Sequence, residues 1–254
     1  MNDSFPELKN APIVEAVLDI NCAMPPAFKL ADIKAQAHQA FTSDYPQVRM
    51  QHIHKHLIEQ NEKKSVEISA QHALQAMQFL KADEKQLVQV RRDGFSFNRL
   101  TPYTRLNDYL PEMERTWLQF IEIAKPVQIQ AIKLRYINRI SLEAKDGSVE
   151  LDDYFKVGPK LPDEENLAFR GFLMQSLVAE KNTDNMAQIV LATESEKYET
   201  DVLSFIFDIG TSRKTALEVE DWQGILDAIV SLRQLKNSIF FNTLTSRCLE
   251  QFQK

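Results

Sequence analysis

The stretch VQIQAIKLRYINRISLE, residues 127–143, decides the fold, because its apolar and polar side chains alternate as they do in a strand with one buried face. One face carries Ile132, Leu134, Tyr136, Ile140 and Leu142, with the polar Asn138 among them. The other face carries Lys133, Arg135, Arg139 and Ser141. We therefore predict one long strand with a core side and a charged side.

A second strand of the same kind lies near the start of the chain, at residues 12–20. Val14, Ala16, Leu18 and Ile20 point one way, and Glu15 and Asp19 lie on the opposite face. Each of these two strands is followed by a short helix, a run of strands and a tryptophan-bearing helix. The order of elements therefore indicates an internal duplication.

The spacing of apolar residues, with glycine and proline at the breaks, sets the expected elements. In the first half we predict a helix over 30–41, strands at 48–59, 65–71, 73–81, 86–91 and 95–99, and a helix from Asn107 or Glu112 that ends at Pro126. The pair Asp93-Gly94 predicts a hairpin turn. In the second half we predict a helix near 151–155, strands at 169–180, 186–193 and 202–209, and a helix from Asp221 to Phe252.

These elements predict an α+β protein of two tandem strand-helix-meander-helix repeats, 1–125 and 126–254, joined as one structural unit. The two repeats share one curved antiparallel sheet, and the helices cover one face. This topology resembles the TATA-binding-protein-like and helix-grip folds. Folds of this kind host unrelated functions, so the topology alone assigns none.

Two segments carry a resemblance to a known family. NAPIVEAVLDI at residues 10–20 and LRYINRI at residues 134–140, together with the C-terminal helix, resemble a sporadically distributed family of bacterial proteins of about 250 residues. The resemblance spans essentially the whole chain and implies a bacterial cytoplasmic protein. That family carries no established activity, so the resemblance implies no catalytic residues.

Composition excludes several classes of protein. The 254 residues are 44% hydrophobic and 26% charged, which is typical of a globular chain and not of a disordered one. The net charge of −6 argues against a dedicated nucleic-acid binder. Only two cysteines and no apolar leader or membrane-length run are present, so we expect a cytoplasmic protein.

Four charged residues form the candidate ligand-binding site: Glu15, Asp19, Arg135 and Arg139. If the strands that carry them pair antiparallel, one register places Glu15 opposite Arg139 and Asp19 opposite Arg135. Cross-strand ion pairs that fix the register are one interpretation. The other is an anion site on the open sheet face, in which the arginine forks bind a ligand or partner.

Two further clusters carry weaker hypotheses. His52, His54 and His56 alternate on one strand, a spacing that metal sites use, but a metal needs further ligands, and solvated or cross-strand-packed histidines are the favoured interpretation. The stretch Arg91–Arg105 mixes arginines with Phe95, Phe97 and Tyr103, as single-strand nucleic-acid binders do. Hairpin packing is the alternative there, and we predict no metal and no cofactor.

We therefore expect a non-enzymatic cytoplasmic binding or interaction module, because glycine-rich phosphate loops, nucleophile elbows and zinc-protease motifs are absent from the sequence. Its partner is an unidentified protein or a small anionic ligand. A small-anion-binding protein or enzyme centred on the four charged residues is the first alternative, and a single-stranded nucleic-acid binder is the second. Self-pairing through a sheet edge or the long C-terminal helix would give a homodimer.

Overall fold

A computed structural model describes residues 5–60, 66–144, 148–163, 166–167, 169–194 and 201–253 of the chain. Residues 54–60 and 66–72 are described as backbone only. The described residues form an α+β protein with one large antiparallel sheet.

The sheet contains nine strands in the described part of the chain. Their bounds are β1 Ile13–Ala23, β2 Gln47–Gln60, β3 Val66–Leu80, β4 Gln86–Arg91, β5 Gly94–Leu100, β6 Gln128–Glu143, β7 Leu173–Ala179, β8 Asn185–Thr193 and β9 Val202–Leu217. The helices are α1 Lys34–Phe41, α2 Leu106–Ala124, α3 Trp222–Thr243 and α4 Ser246–Glu250, with a single 3-10 turn at Leu151–Asp153.

The strand order β2-β3-β4-β5-β1-β6-β9-β8-β7 places the first strands of the two halves side by side at the centre. In each half the last strand returns to pair with that half's own first strand, β5 with β1 and β9 with β6. The predicted meander is therefore present, and β2 and β7 are the two outer strands.

Burial alternates along β6 as the sequence predicts, with Leu134, Tyr136 and Asn138 buried and Arg135 and Arg139 exposed. The buried side packs against the helices, and one cluster joins strand residues to Trp117 of α2 and Ile229 of α3. A second cluster lies under β8, β9 and α4. The helices therefore cover the face that the alternation predicts to be buried.

Trp117 connects the two halves. It is 1% exposed, and its indole N–H donates to the carbonyl of Val219, just before α3, at 3.0 Å. Its ring stacks on Phe120 with ring centroids 5.3 Å apart. Trp222 is partly buried against the same cluster. Both tryptophans thus anchor their helices to the core.

The Asp93-Gly94 turn joins β4 to β5 as predicted. Gly94 has a φ of +144°, and a Cβ built on it would lie 2.0 Å from the backbone oxygen of Ile20 on β1. Only glycine fits where the chain adopts this conformation so close to a neighbouring backbone.

One predicted break is absent, and one break that the sequence does not predict is present. The strands expected at 65–71 and 73–81 are the single strand β3, since no glycine or proline interrupts its ladder with β2. The last helix does not run to Phe252, because Leu244 adopts an extended conformation and pairs with Phe155. Thr245 then caps the separate helix α4 by accepting from the Cys248 N–H.

Candidate functional site

A cavity of about 340 Å³ lies where the two halves meet on the helix-covered side of the sheet. Its floor is β6, one wall is the C-terminal half of α3, and the other walls are the segment before β1 and the start of α2. The α3 residues that line it are Arg233, Lys236, Asn237, Phe240 and Phe241, which recur at helical spacing and so share one face. We call this space the central cavity.

Two tyrosines form part of its lining. The hydroxyls of Tyr103 and Tyr136 lie 3.0 Å apart, and their rings meet edge to face with centroids 5.7 Å apart. Burial, with a smaller contribution from Tyr136, raises the pKa of Tyr103. Tyr103 is therefore a neutral phenol at physiological pH, able to donate or accept a hydrogen bond but not to act as a base.

Two buried amides lie beside these tyrosines. Asn138 is 1% exposed, and its Nδ2 donates to the carbonyl of Phe207 on β9 at 2.8 Å. This bond explains why an amide occupies an apolar face of β6, since a buried polar group needs a partner. Asn237 of α3 is also buried. The lining of the cavity thus includes two buried amides beside the two tyrosines.

The charged lining of the central cavity is predominantly positive. The described lining residues include three cationic side chains, Arg105, Arg233 and Lys236, and one acidic side chain, Glu7. Arg105 donates from Nε to Glu7 at 2.6 Å at the rim. Arg233 donates to the Asn107 side-chain oxygen at 3.4 Å.

Lys236 lies over a ring, with its ammonium nitrogen 4.3 Å from the ring centroid of Tyr136. Aromatic rings form part of the apolar lining of the cavity. Phe5 stacks on Phe241 with centroids 5.1 Å apart, and Phe240 meets Phe241 edge to face. A ligand with a negatively charged group and an apolar ring would therefore find a complementary surface for each part.

The four residues predicted as a ligand site lie on the open face of the sheet, opposite the helices. β1 and β6 pair antiparallel at the centre as expected, but the expected register is wrong by two residues. Glu15 faces Ile137 and Asp19 faces Lys133. The alternation of the two strands fixes the face of each side chain but not the offset between the strands.

The two arginines of this set bind carboxylates from the second half. Arg135 holds Asp208 of β9 with two donors, Nε at 2.9 Å from Oδ1 and Nη2 at 2.5 Å from Oδ2. These hydrogen bonds raise the pKa of Arg135. Arg139 pairs with Glu194 at the end of β8. Each guanidinium thus has a carboxylate partner on a half-exposed sheet face.

The two acids bind residues of the first half. Asp19 accepts a hydrogen bond from Ser96 and lies 3.2 Å from Arg91 of β4. Glu15 accepts from Asn98 of β5 at 2.7 Å. The structure therefore places the four residues in separate cross-strand pairs, and it does not bring them together around one point. Their role in binding a ligand stays a prediction.

The structure also describes some of the residues on which the metal and nucleic-acid hypotheses depend. His52 is exposed on β2, while the side chains of His54 and His56 lie outside the described residues. Within the described part of the chain, no group of three or more histidine, cysteine or acidic side chains is arranged to hold a metal. Phe95 and Phe97 are fully buried in the core and cannot stack on nucleic-acid bases.

A separate polar cluster lies between α1 and α2. The buried Tyr45 donates to Glu112 at 2.7 Å and accepts from Gln86 at 2.8 Å. Partial burial raises the pKa of Glu112, but hydrogen bonds from Arg115 and Tyr45 outweigh it and lower that pKa overall. These groups are mutually satisfied, so the cluster joins the helices to the sheet.

Sequence reasoning could have found part of the central cavity. Asn138 is visible as a polar residue on an apolar strand face, and Tyr103 belongs to the basic and aromatic stretch. Arg233 and Lys236 carry no such signal, because cations beside an apolar stripe are common on exposed helices. Only the packing of α3 over β6 brings them to Tyr136.

Comparisons with family models, curated proteins and solved structures find no match to this chain. The bacterial family that residues 10–20 and 134–140 resemble therefore stays a prediction. In the part of the chain that the structure describes, none of the helices has both the length and the apolar composition needed to cross a membrane.

Proposed function

We propose that this chain is a non-enzymatic binding module whose ligand is a small organic anion with an apolar ring, held in the central cavity. The observation that carries the proposal is the lining: Arg233 and Lys236 stand on the same helix face as Phe240 and Phe241, over a floor of Tyr136 and Asn138. A concave site with an apolar wall and a few convergent polar groups is the usual form of a small-molecule site.

The charge of the lining selects the class of ligand. Among the lining residues described, cationic side chains outnumber acidic ones by three to one. The guanidinium and ammonium groups of the lining donate hydrogen bonds only, and its phenol and amide groups can both donate and accept. A carboxylate, sulfonate or phosphonate on an aromatic ring would be bound by these donors, and hydrogen bonds to a charged group contribute about 1.5–3 kcal/mol each.

An anion site in the central cavity and an anion site on the open sheet face lead to different predictions, and one experiment distinguishes them. The probe is 1-anilinonaphthalene-8-sulfonate, an aromatic anion that fluoresces when it leaves water. Lys236→Met and Arg233→Met each remove one positive charge from the cavity. Arg135→Gln removes one positive charge from the open face and is the matched control.

We expect saturable binding of one probe per chain. Lys236→Met and Arg233→Met should each weaken it about tenfold or more, in line with the loss of one charge-assisted hydrogen bond. Arg135→Gln should leave the affinity within about twofold. Circular dichroism of each variant checks that it is folded, since the probe also binds partly unfolded chains.

Each other outcome has a definite meaning. If Arg135→Gln weakens binding and the two cavity variants do not, the anion site lies on the open sheet face. If the wild-type chain binds the probe without saturation and benzoate does not displace the bound probe, the central cavity is not a site for this class of ligand.

We also infer that the chain is an internal duplication, with halves 1–125 and 126–254. What supports this is the strand order, in which each half closes its last strand against its own first strand and the halves meet at β1 and β6. The halves differ in detail, since β2 to β5 correspond to only three strands, β7 to β9, in the second half. The central cavity would then lie at the junction of two similar halves.

A further inference from the structure

The outer strand of the second half, β7, is an uncharged edge strand. Its sequence is LMQSLVA, with no charged residue, glycine or proline. Leu173 and Leu177 point to the open face and are 72% and 71% exposed. Uncharged, apolar edge strands pair readily with other strands, and proteins usually protect them with charges, prolines or bulges.

The backbone of β7 has a defined outward side. Antiparallel pairing with β8 bonds Phe172 to Thr193 and Glu180 to Asn185. Hydrogen-bonded residues alternate along an antiparallel strand, so the even-numbered residues of β7 bond to β8. The N–H and C=O groups of Leu173, Gln175, Leu177 and Ala179 therefore point away from the sheet.

The opposite edge of the sheet is different. β2 carries Arg49, Lys55 and Glu59 within its sequence, and Arg49 forms an ion pair with Glu84. The ladder between β2 and β3 is irregular between Gln51 and His52, where Gln75 of β3 is the extra residue. Charges discourage strand addition at β2, whereas β7 carries none.

We propose that β7 pairs antiparallel with β7 of a second copy of this chain, about a two-fold axis at Ser176. In this register Leu173 faces Ala179 of the other copy and Gln175 faces Leu177. All four are residues whose backbone groups point outward, so the pairing forms about eight hydrogen bonds, two for each facing pair.

Side chains and charge support a second copy as the occupant. Leu177 of the two copies lie diagonally across the axis, within reach of each other, and both Leu173 side chains extend the same row. The stretch from Gly171 to Ala179 carries no charged residue, so pairing of two copies brings no like charges together along the strand. A row of this kind is complementary to itself.

The interface is small, since it consists mainly of two seven-residue strands. Interfaces at the low end of the size range are weak, so we expect a dissociation constant of about 1–100 µM. The dimer should therefore form reversibly within the concentrations that sedimentation measures.

The first test is sedimentation equilibrium of the full chain and two variants. The wild type should approach twice the chain mass of 29.3 kDa as concentration rises. Leu177→Lys places two ammonium groups across the axis and should weaken the dimer at least about tenfold. Leu118→Lys changes a leucine that is 48% exposed on α2 and is the matched control, with no change expected.

The second test maps the register with a thiol. Ser176→Cys faces its own copy at a non-hydrogen-bonded pair, where α-carbons lie about 4.5 Å apart and a disulfide can form. Gln175→Cys is the register control, because its copies lie diagonally and too far apart for efficient bonding. Cys22 and Cys248 are both buried and should not interfere.

Ser176→Cys should form a covalent dimer under mild oxidation, and Gln175→Cys should not. A wild type that stays monomeric up to about 100 µM overturns the proposal. It is also overturned if the dimer persists in Leu177→Lys, if Leu118→Lys weakens it equally, or if Gln175→Cys cross-links as well as Ser176→Cys.

Discussion

The indole of Trp117 should hold the two halves together, and Trp117→Phe tests this. The indole N–H donates to the buried carbonyl of Val219 at 3.0 Å, from α2 in the first half to the segment before α3 in the second. Phenylalanine cannot donate, so the carbonyl is left without its donor, which costs about 1–3 kcal/mol. The smaller ring leaves a void that costs about 1–2 kcal/mol more.

The free energy of unfolding should therefore fall by about 2–5 kcal/mol, and Tm by about 5–15 °C. Urea unfolding followed by far-ultraviolet circular dichroism measures the change. The chain has two tryptophans, so Trp117→Phe leaves only Trp222 as a fluorescent reporter. Because one cluster spans both halves, fluorescence and dichroism should report a single coincident transition.

Trp222→Phe is the matched control. Because Trp222 is only partly buried, this substitution should lower the free energy of unfolding by less, about 1 kcal/mol. A loss below about 1 kcal/mol for Trp117→Phe would refute the reasoning about the bond. Two separate transitions would instead show that 1–125 and 126–254 unfold as independent domains.

Three further predictions follow from single positions. Gly94→Ala should cost about 3 kcal/mol or more in urea unfolding, because its Cβ would overlap a backbone oxygen, while Gly158→Ala, with open space around it, should change stability by less than about 0.5 kcal/mol. The pKa of Glu112 is lowered in the folded chain, so this carboxylate stabilises the fold at pH values above the ordinary pKa of 4.5, and the contribution is lost as the pH falls through the folded pKa. Glu112→Gln should therefore flatten the fall of Tm with acidification. An unchanged slope of Tm against pH would contradict this. Burial raises the pKa of Cys22 and Cys248 to about 12, so both thiols should react with a disulfide reagent only as fast as the chain opens, and rapid reaction in native buffer would refute this.

Much of the architecture follows from local sequence signals. Alternation over 127–143 predicts β6 within about one residue, and Asp93-Gly94 predicts the hairpin between β4 and β5. These features depend on side-chain period and turn chemistry, which neighbouring residues fix. The end of α3 at Leu244 does not follow from local signals, because the helix breaks where Leu244 pairs with Phe155, almost ninety residues away.

The candidate site is less accessible to sequence reasoning. The faces of Glu15 and Arg135 are predicted correctly, but their partners are not, since the offset between two strands is a tertiary property. Arg135 binds Asp208 on β9, and nothing in the local sequence indicates that β9 pairs with β6. The central cavity arises where α3 crosses β6, so its lining combines residues from distant parts of the chain.

The central pairing of β1 with β6 has a consequence for synthesis of the protein. β1 ends at Ala23, but its neighbour β6 begins only at Gln128, more than a hundred residues later. While the chain grows on the ribosome, the first half can form its meander, yet one side of β1 has no strand to pair with. That side presents free backbone donors and acceptors until β6 emerges. Folding must therefore be completed late, and the growing first half is the stage at which this protein is most exposed to aggregation.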